Sequence, residues 1–169
     1  MVLYPYYDLV ETMSKVLILM GSKSDLPVVE KAVELLKEFG LSYDVHVASA
    51  HRTPKRVEEI VTKSDADVAI AVAGMSAALP GVVASMTTRP VIGVPVSGKM
   101  TLDSILSVVQ MPPGIPVAAV GLDRGDNAAI LAAQIIGLKD KKVSEKLEAH
   151  RKKMADQVEK DSEKVRVGV

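Results

Sequence analysis

The chain has 169 residues, 48% hydrophobic but only 3% aromatic, and its 21 basic and 21 acidic side chains cancel to zero formal charge. That is enough for one domain with a sizeable core built from Val, Ile, Leu, Ala and Met, but it offers neither the basic stripe nor the stacking rings of a nucleic-acid binder. There is no apolar run of the roughly 20 residues a membrane helix needs, and the absence of cysteine excludes disulfides, thiolate metal sites and a cysteine nucleophile and fits a cytoplasmic protein.

Residues 1–13 read as an N-terminal extension, and 14–169 as a single domain. Met1–Thr12 hold three of the four tyrosines and lack the basic start and apolar middle of a signal peptide. Val16–Met20 is a continuous apolar run closed by Gly21, the pattern of a strand buried on both faces. Ser24 or Asp25 can cap the helix that follows, which has Pro27 in its first turn and Gly40 as its stop. Tyr43–Ala48 is the expected second strand. Thr53 and Pro54 start a short helix that runs to Thr62.

Val68–Ala73 is another buried-strand run, and Ser76–Ser85 suggests a helix broken near Pro80-Gly81. Val91–Val94, a helix over Leu102–Val109, a strand over Val117–Val120 and an Ala-rich helix over Asn127–Ile136 follow. A C-terminal helix spans about 140–165. Its stripe of Val143, Leu147, Met154, Val158 and Val165 packs either on its own domain or on a neighbouring subunit. Strand and helix alternate throughout. This predicts a three-layer α/β/α fold with a mainly parallel, flavodoxin-like sheet, and a functional site beyond the C-terminal strand ends.

Three loops carry candidate chemistry. Gly21-Ser22-Lys23-Ser24-Asp25 combines close backbone approach, hydroxyls and a helix start that attracts anions. Asp25 either caps that helix or accepts ribose hydroxyls. Ser49-Ala50-His51-Arg52-Thr53-Pro54 sets an imidazole, able to exchange protons near neutral pH, beside a guanidinium that grips phosphate as a fork. Ala73-Gly74-Met75-Ser76-Ala77-Ala78-Leu79-Pro80-Gly81 lacks the second glycine of a Gly-x-Ser-x-Gly elbow, and reads as a backbone-rich wall for a flat ligand or as a plain tight turn.

Pro95–Lys99 and Gln110–Gly114 either line a pocket or merely connect elements. His46 belongs to the opposite face of its strand from the His51 loop, and His150 is expected to be solvent-exposed. The three scattered histidines make no metal site. Neither a dinucleotide fingerprint nor a Walker A loop is present.

Five blocks together resemble the PurE family of purine biosynthesis. They are Met20–Asp25, Ser49–Pro54, Gly93–Val96, Val109–Pro112 and Asn127–Ala129 with Leu131–Ile135, in order across Val16 to about Arg151. The resemblance implies an octamer with sites near subunit interfaces, a ribonucleotide substrate with CO2, and no metal or organic cofactor. It implies proton transfer by His51 and substrate binding by Ser22, Asp25 and Arg52. Ser24, Ser49, Gly74, Met75, Ser76 and Leu79 complete the expected binding set.

Family members form 4-carboxy-5-aminoimidazole ribonucleotide. Mutases shift the carboxyl of N5-carboxyaminoimidazole ribonucleotide to ring carbon four; direct carboxylases add CO2 to aminoimidazole ribonucleotide. Most mutases carry Gly-Gly-Ala-Ala-His-Leu-Pro-Gly after the third strand, whereas Gly74–Gly81 lacks that histidine and is similar to the carboxylase pattern Gly-Arg-Ser-Asn-Ala-Leu. Arg52-Thr53-Pro54 and Val109–Pro112 resemble mutase blocks, and the balance favours the mutase. A competing reading is a non-catalytic, flavodoxin-like nucleotide-binding module in which His51 is incidental.

Overall fold

The computed structural model describes residues 15–168; the expected extension over residues 1–13 lies outside them. Five parallel strands form one sheet in the order β2-β1-β3-β4-β5. They are β1 (Lys15–Met20), β2 (Ser42–Val47), β3 (Val68–Ala73), β4 (Val91–Pro95) and β5 (Ala118–Ala119). The helices are α1 (Leu26–Phe39), α2 (Pro54–Lys63), α3 (Leu79–Ser85), α4 (Thr101–Val109), α5 (Gly125–Gly137) and α6 (Lys141–Gly168). The predicted three-layer α/β/α architecture is the observed one.

The side-chain alternation of the strands divides the core into two. Val16, Ile18, Met20, Val68, Ile70, Val72, Ile92 and Val94 face α1, α5 and the start of α6. Leu17, Leu19, Ala69, Ala71 and Ala73 face the layer of α2, α3 and α4. Along β3 and at Gly93 that second face carries small residues, so helices approach the sheet closely there. A Cβ on Gly93 would lie 2.5 Å from Val108 Cγ1 and 2.9 Å from Val117 Cγ1. The β1–α1 and β2–α2 connections leave the sheet on opposite faces, placing a topological switch point between β1 and β3.

Asp25 occupies the N-cap position of α1, one of the two residues expected there, but its side chain makes no cap bond to α1; Ser22 Oγ instead caps a single 3₁₀ turn (Lys23–Asp25) ahead of that helix. Other local expectations are corrected. Pro80 does not break a helix begun at Ser76. Ser76 is left-handed with φ 50°, and α3 begins only at Leu79, with Pro80 in the first turn where its missing N–H costs nothing. The fifth strand is only two residues long.

The α6 stripe is divided. Val143 and Leu147 are buried in the α1/α5 layer, while Met154, Val158 and Val165 are exposed in the single chain. His150 is also not the solvated group expected. Its side chain is only 14% exposed, and its Nδ1 lies 3.2 Å from a Glu38 carboxylate oxygen. The ring meets Phe39 edge-on with centroids 5.4 Å apart.

Candidate active site

In-register pairing of Met20 with Val47 and Val72, and of Val72 with Val94, brings the strands' C-terminal ends level. The following loops therefore converge at one edge, around a cavity of about 550 Å³. This lies within the roughly 300–1,000 Å³ usual for small-molecule sites.

The β1 loop continues the sheet by one bond, from Gly21 N–H to the Val72 carbonyl (3.1 Å). Ser22 N–H then donates to Asp25 Oδ2 (3.0 Å), and Ser24 N–H donates to Ser22 Oγ (3.3 Å), a reciprocal capping box. The Ser24 hydroxyl donates to Asp25 Oδ1 (3.3 Å). Asp25 is thereby held with only 6% exposure. Burial pushes its carboxyl pKa up, and the Ser22 and Ser24 donors and the Arg52 charge oppose that shift only in part.

The β2 loop closes on itself. Thr53 N–H donates to the Ser49 carbonyl (2.9 Å) and Ser49 N–H to Thr53 Oγ1 (2.9 Å), leaving Ala50, His51 and Arg52 at the tip. Thr53 thus occupies the N-cap position of α2 while its hydroxyl serves the loop. Arg52 reaches across to β1: Nη2 donates to the Gly21 carbonyl (2.8 Å) and Nε to Ser49 Oγ (3.3 Å). These bonds leave part of the guanidinium's five-donor fork available, and among the described residues no carboxylate pairs with it. His51 is exposed at the loop tip and lines the cavity without a hydrogen-bond partner among the described residues.

The third wall is the β3 loop, in which Met75 is 76% exposed. Ser76 N–H donates to Asp103 Oδ2 of α4 (2.7 Å). The fourth follows β4, where Ser97 N–H donates to Asp123 Oδ1 (2.8 Å).

Every residue expected at the site borders this one cavity: Ser22, Ser24 and Asp25; Ser49, His51 and Arg52; Gly74, Met75, Ser76 and Leu79. Ala50, Ala73 and Ala78, which lie within the candidate loops but are not among the expected site residues because an alanine carries no chemical signal of its own, also border it. Of the two loops left open, the β4 loop contributes Val96 and Ser97, whereas Lys99 and Gln110–Gly114 stay outside. His46 lies in a separate groove with Lys15 and Asp44. A larger cleft of about 1050 Å³ opens at the other end of the sheet, between Thr62, Arg89 and Gly114, but it has no His, Asp or Glu in its lining.

The arrangement brings an imidazole without a hydrogen-bond partner among the described residues, a fixed cation, a buried carboxylate and several hydroxyls to one cavity. The family model described as AIR carboxylase matches residues 15–157. The chain belongs to the AIR carboxylase family. It is 62% identical over 150 residues to the N5-carboxyaminoimidazole ribonucleotide mutase of Methanocaldococcus jannaschii, covering 88% of this chain and 96% of that protein. It is 45% identical to the phosphoribosylaminoimidazole carboxylase of Saccharomyces cerevisiae over 83% of this chain, but only 26% of that longer protein. Among solved structures, Treponema denticola PurE superposes with a TM-score of 0.80 at 33% identity, covering 89% of this chain and 98% of that one. The PurE resemblance of the sequence blocks is therefore borne out at the level of family and fold.

Proposed function

We propose that this chain is an N5-carboxyaminoimidazole ribonucleotide mutase of purine biosynthesis, with His51 as its proton-transfer residue. One observation carries the assignment: a partner-free imidazole shares a cavity of about 550 Å³ with Arg52, Asp25 and Ser22, in a chain whose archaeal relative bears that name. Asp25 accepts the ribose hydroxyls, and Arg52 with Ser22, Ser24 and Ser49 holds the anionic groups. Gly74, Met75, Ser76 and Leu79 form the wall against the heterocycle.

The reaction closes its own proton balance. Protonated His51 donates to the carbamate nitrogen as the N–C bond breaks, leaving aminoimidazole ribonucleotide and trapped CO2. Ring carbon four, made nucleophilic by the adjacent amine, attacks CO2 and forms the new C–C bond. Neutral His51 then takes the ring proton from carbon four and returns to its starting state. Neither metal nor organic cofactor takes part in this scheme. Loss of CO2 ends the reaction, so the site must be covered during turnover.

A homo-octamer in the cytoplasm belongs to the same proposal. Met75 stands at the mouth of the cavity, and Leu102, Leu106 and Val109 of the adjacent α4 expose an apolar face, as do Met154 and Val158 on α6. Apolar surface of this kind fits burial against further copies.

The deciding experiment offers the N5-carboxylated ribonucleotide, or separately aminoimidazole ribonucleotide with bicarbonate, and follows product absorbance. Turnover of the first alone at low CO2 is the expected result. Efficient use of the second, rising with dissolved CO2, makes the enzyme a direct carboxylase; turnover of neither removes the enzymatic reading.

A further inference from the structure

We infer that Asp103 is a positioning residue for this reaction, holding the Gly74–Leu79 wall of the cavity by its bond to the Ser76 backbone. The inference rests on the mutase reading. Ser76 is a non-glycine residue at φ 50°, a left-handed conformation that side-chain-bearing residues seldom adopt unaided. Its N–H donates to Asp103 Oδ2 at 2.7 Å, at the short end of the N–H···O range.

Asp103 is itself firmly mounted. It lies in the first turn of α4, where the helix N-terminus favours a carboxylate. That turn is fastened to the end of β4. Thr101 Oγ1 donates to the Gly98 carbonyl (2.9 Å), and the fully buried Ser104 hydroxyl lies 3.0 Å from the Val96 carbonyl and 2.8 Å from that of Thr101. Asp103 thus transmits the position of the β4–α4 frame to a loop that otherwise hangs on the end of β3. The loop it holds faces the substrate basin, with Met75 and Ser76 both in the lining, while Asp103 itself stands outside it.

The role needs an acceptor, not a charge or a proton. Asp103→Ala leaves the Ser76 N–H without its partner and frees the wall to shift. Because the wall touches substrate both before and during reaction, kcat/KM should fall about 10- to 100-fold, mainly through KM. Asp103→Asn keeps an oxygen acceptor and should restore kcat/KM to within about threefold of wild type, with an unshifted pH–rate profile. In the wild type the Ser76 amide should be protected from hydrogen exchange, and in Asp103→Ala its exchange should accelerate more than that of its neighbours.

An Asp103→Ala enzyme with wild-type kcat/KM overturns the inference. So does an Asp103→Asn enzyme as impaired as Asp103→Ala, or one with a shifted pH profile, since either would make the charge the operative feature. An unprotected Ser76 amide in the wild type overturns it with no variant required, which keeps the test open should Asp103→Ala fail to fold. Failure of the mutase reading shows separately, as a wild-type chain that does not turn over the N5-carboxylated ribonucleotide.

Discussion

His51→Asn separates chemistry from binding and from folding in one variant. His51 is exposed and makes no hydrogen bond with the described residues, so its replacement removes no contact that the fold uses. Stability should stay within about 0.5 kcal/mol, which for a domain of this size is a shift of about 1–2 °C in Tm. Arg52, Asp25 and the serines keep their mutual bonds, so affinity for the product ribonucleotide, measured by calorimetry, should change by less than about threefold. Both proton transfers of the proposed cycle pass through this imidazole, and asparagine can perform neither. Loss of a positioned general acid–base typically costs about 10²–10⁴-fold, or about 2.7–5.5 kcal/mol in the barrier. The absorbance assay at saturating substrate reads that loss directly as kcat. A His51→Asn enzyme with near-normal kcat and unchanged product affinity would refute the catalytic assignment.

The other predictions concern Asp25, Gly93 and α4. Burial holds the Asp25 pKa above its unfolded value of 3.8, so the native state binds that proton more tightly than the unfolded chain. Stability from this group is therefore greatest in acid and declines as pH rises from the unfolded pKa through the folded one. Asp25→Asn should melt higher than wild type at pH 7, with the difference vanishing in acid, while product affinity weakens about 10- to 100-fold; a lower Tm at pH 7 contradicts the burial argument. Gly93→Ala forces a methyl to within 2.5 Å of Val108 and should destabilise by about 1–3 kcal/mol, read as a lower urea midpoint at constant m-value. Leu106→Glu on the exposed face of α4 should yield folded chains sedimenting near 18.0 kDa rather than as an assembly of eight; unchanged size would remove α4 from the interface.

What could be read from the chain alone, and what could not, follows from how local each signal is. Val16–Met20 and Val68–Ala73 are uninterrupted apolar runs, and every residue in both is buried on the central strands. The site loops were legible because His51, Arg52 and Asp25 carry chemistry in their side chains and stand where strands end. Ala50, Ala73 and Ala78 reach the cavity purely through geometry. Asp103 was equally invisible, since its partner Ser76 is 27 residues away and offers only a backbone N–H. The charged neighbours of His150 in sequence suggest solvent, whereas Phe39 and Glu38, which pack against it, come from a distant helix, Glu38 lying 112 residues earlier. The start of α3 is ambiguous for a different reason: proline breaks a helix interior but favours initiation in a first turn, where Pro80 stands.

The Arg52 strap to the Gly21 carbonyl has a bearing on inhibitor design. It ties the loops after β1 and β2 into a single body, so a molecule reaching for Asp25 and the free edge of the guanidinium meets a shape settled when the chain folded. Affinity gained on that side loses little to freezing of the receptor, whereas contacts made with Met75, exposed on the isolated chain, must first immobilise a long thioether side chain with three rotatable bonds. Compounds anchored on the strapped half should therefore show slower release than equally sized ones anchored opposite.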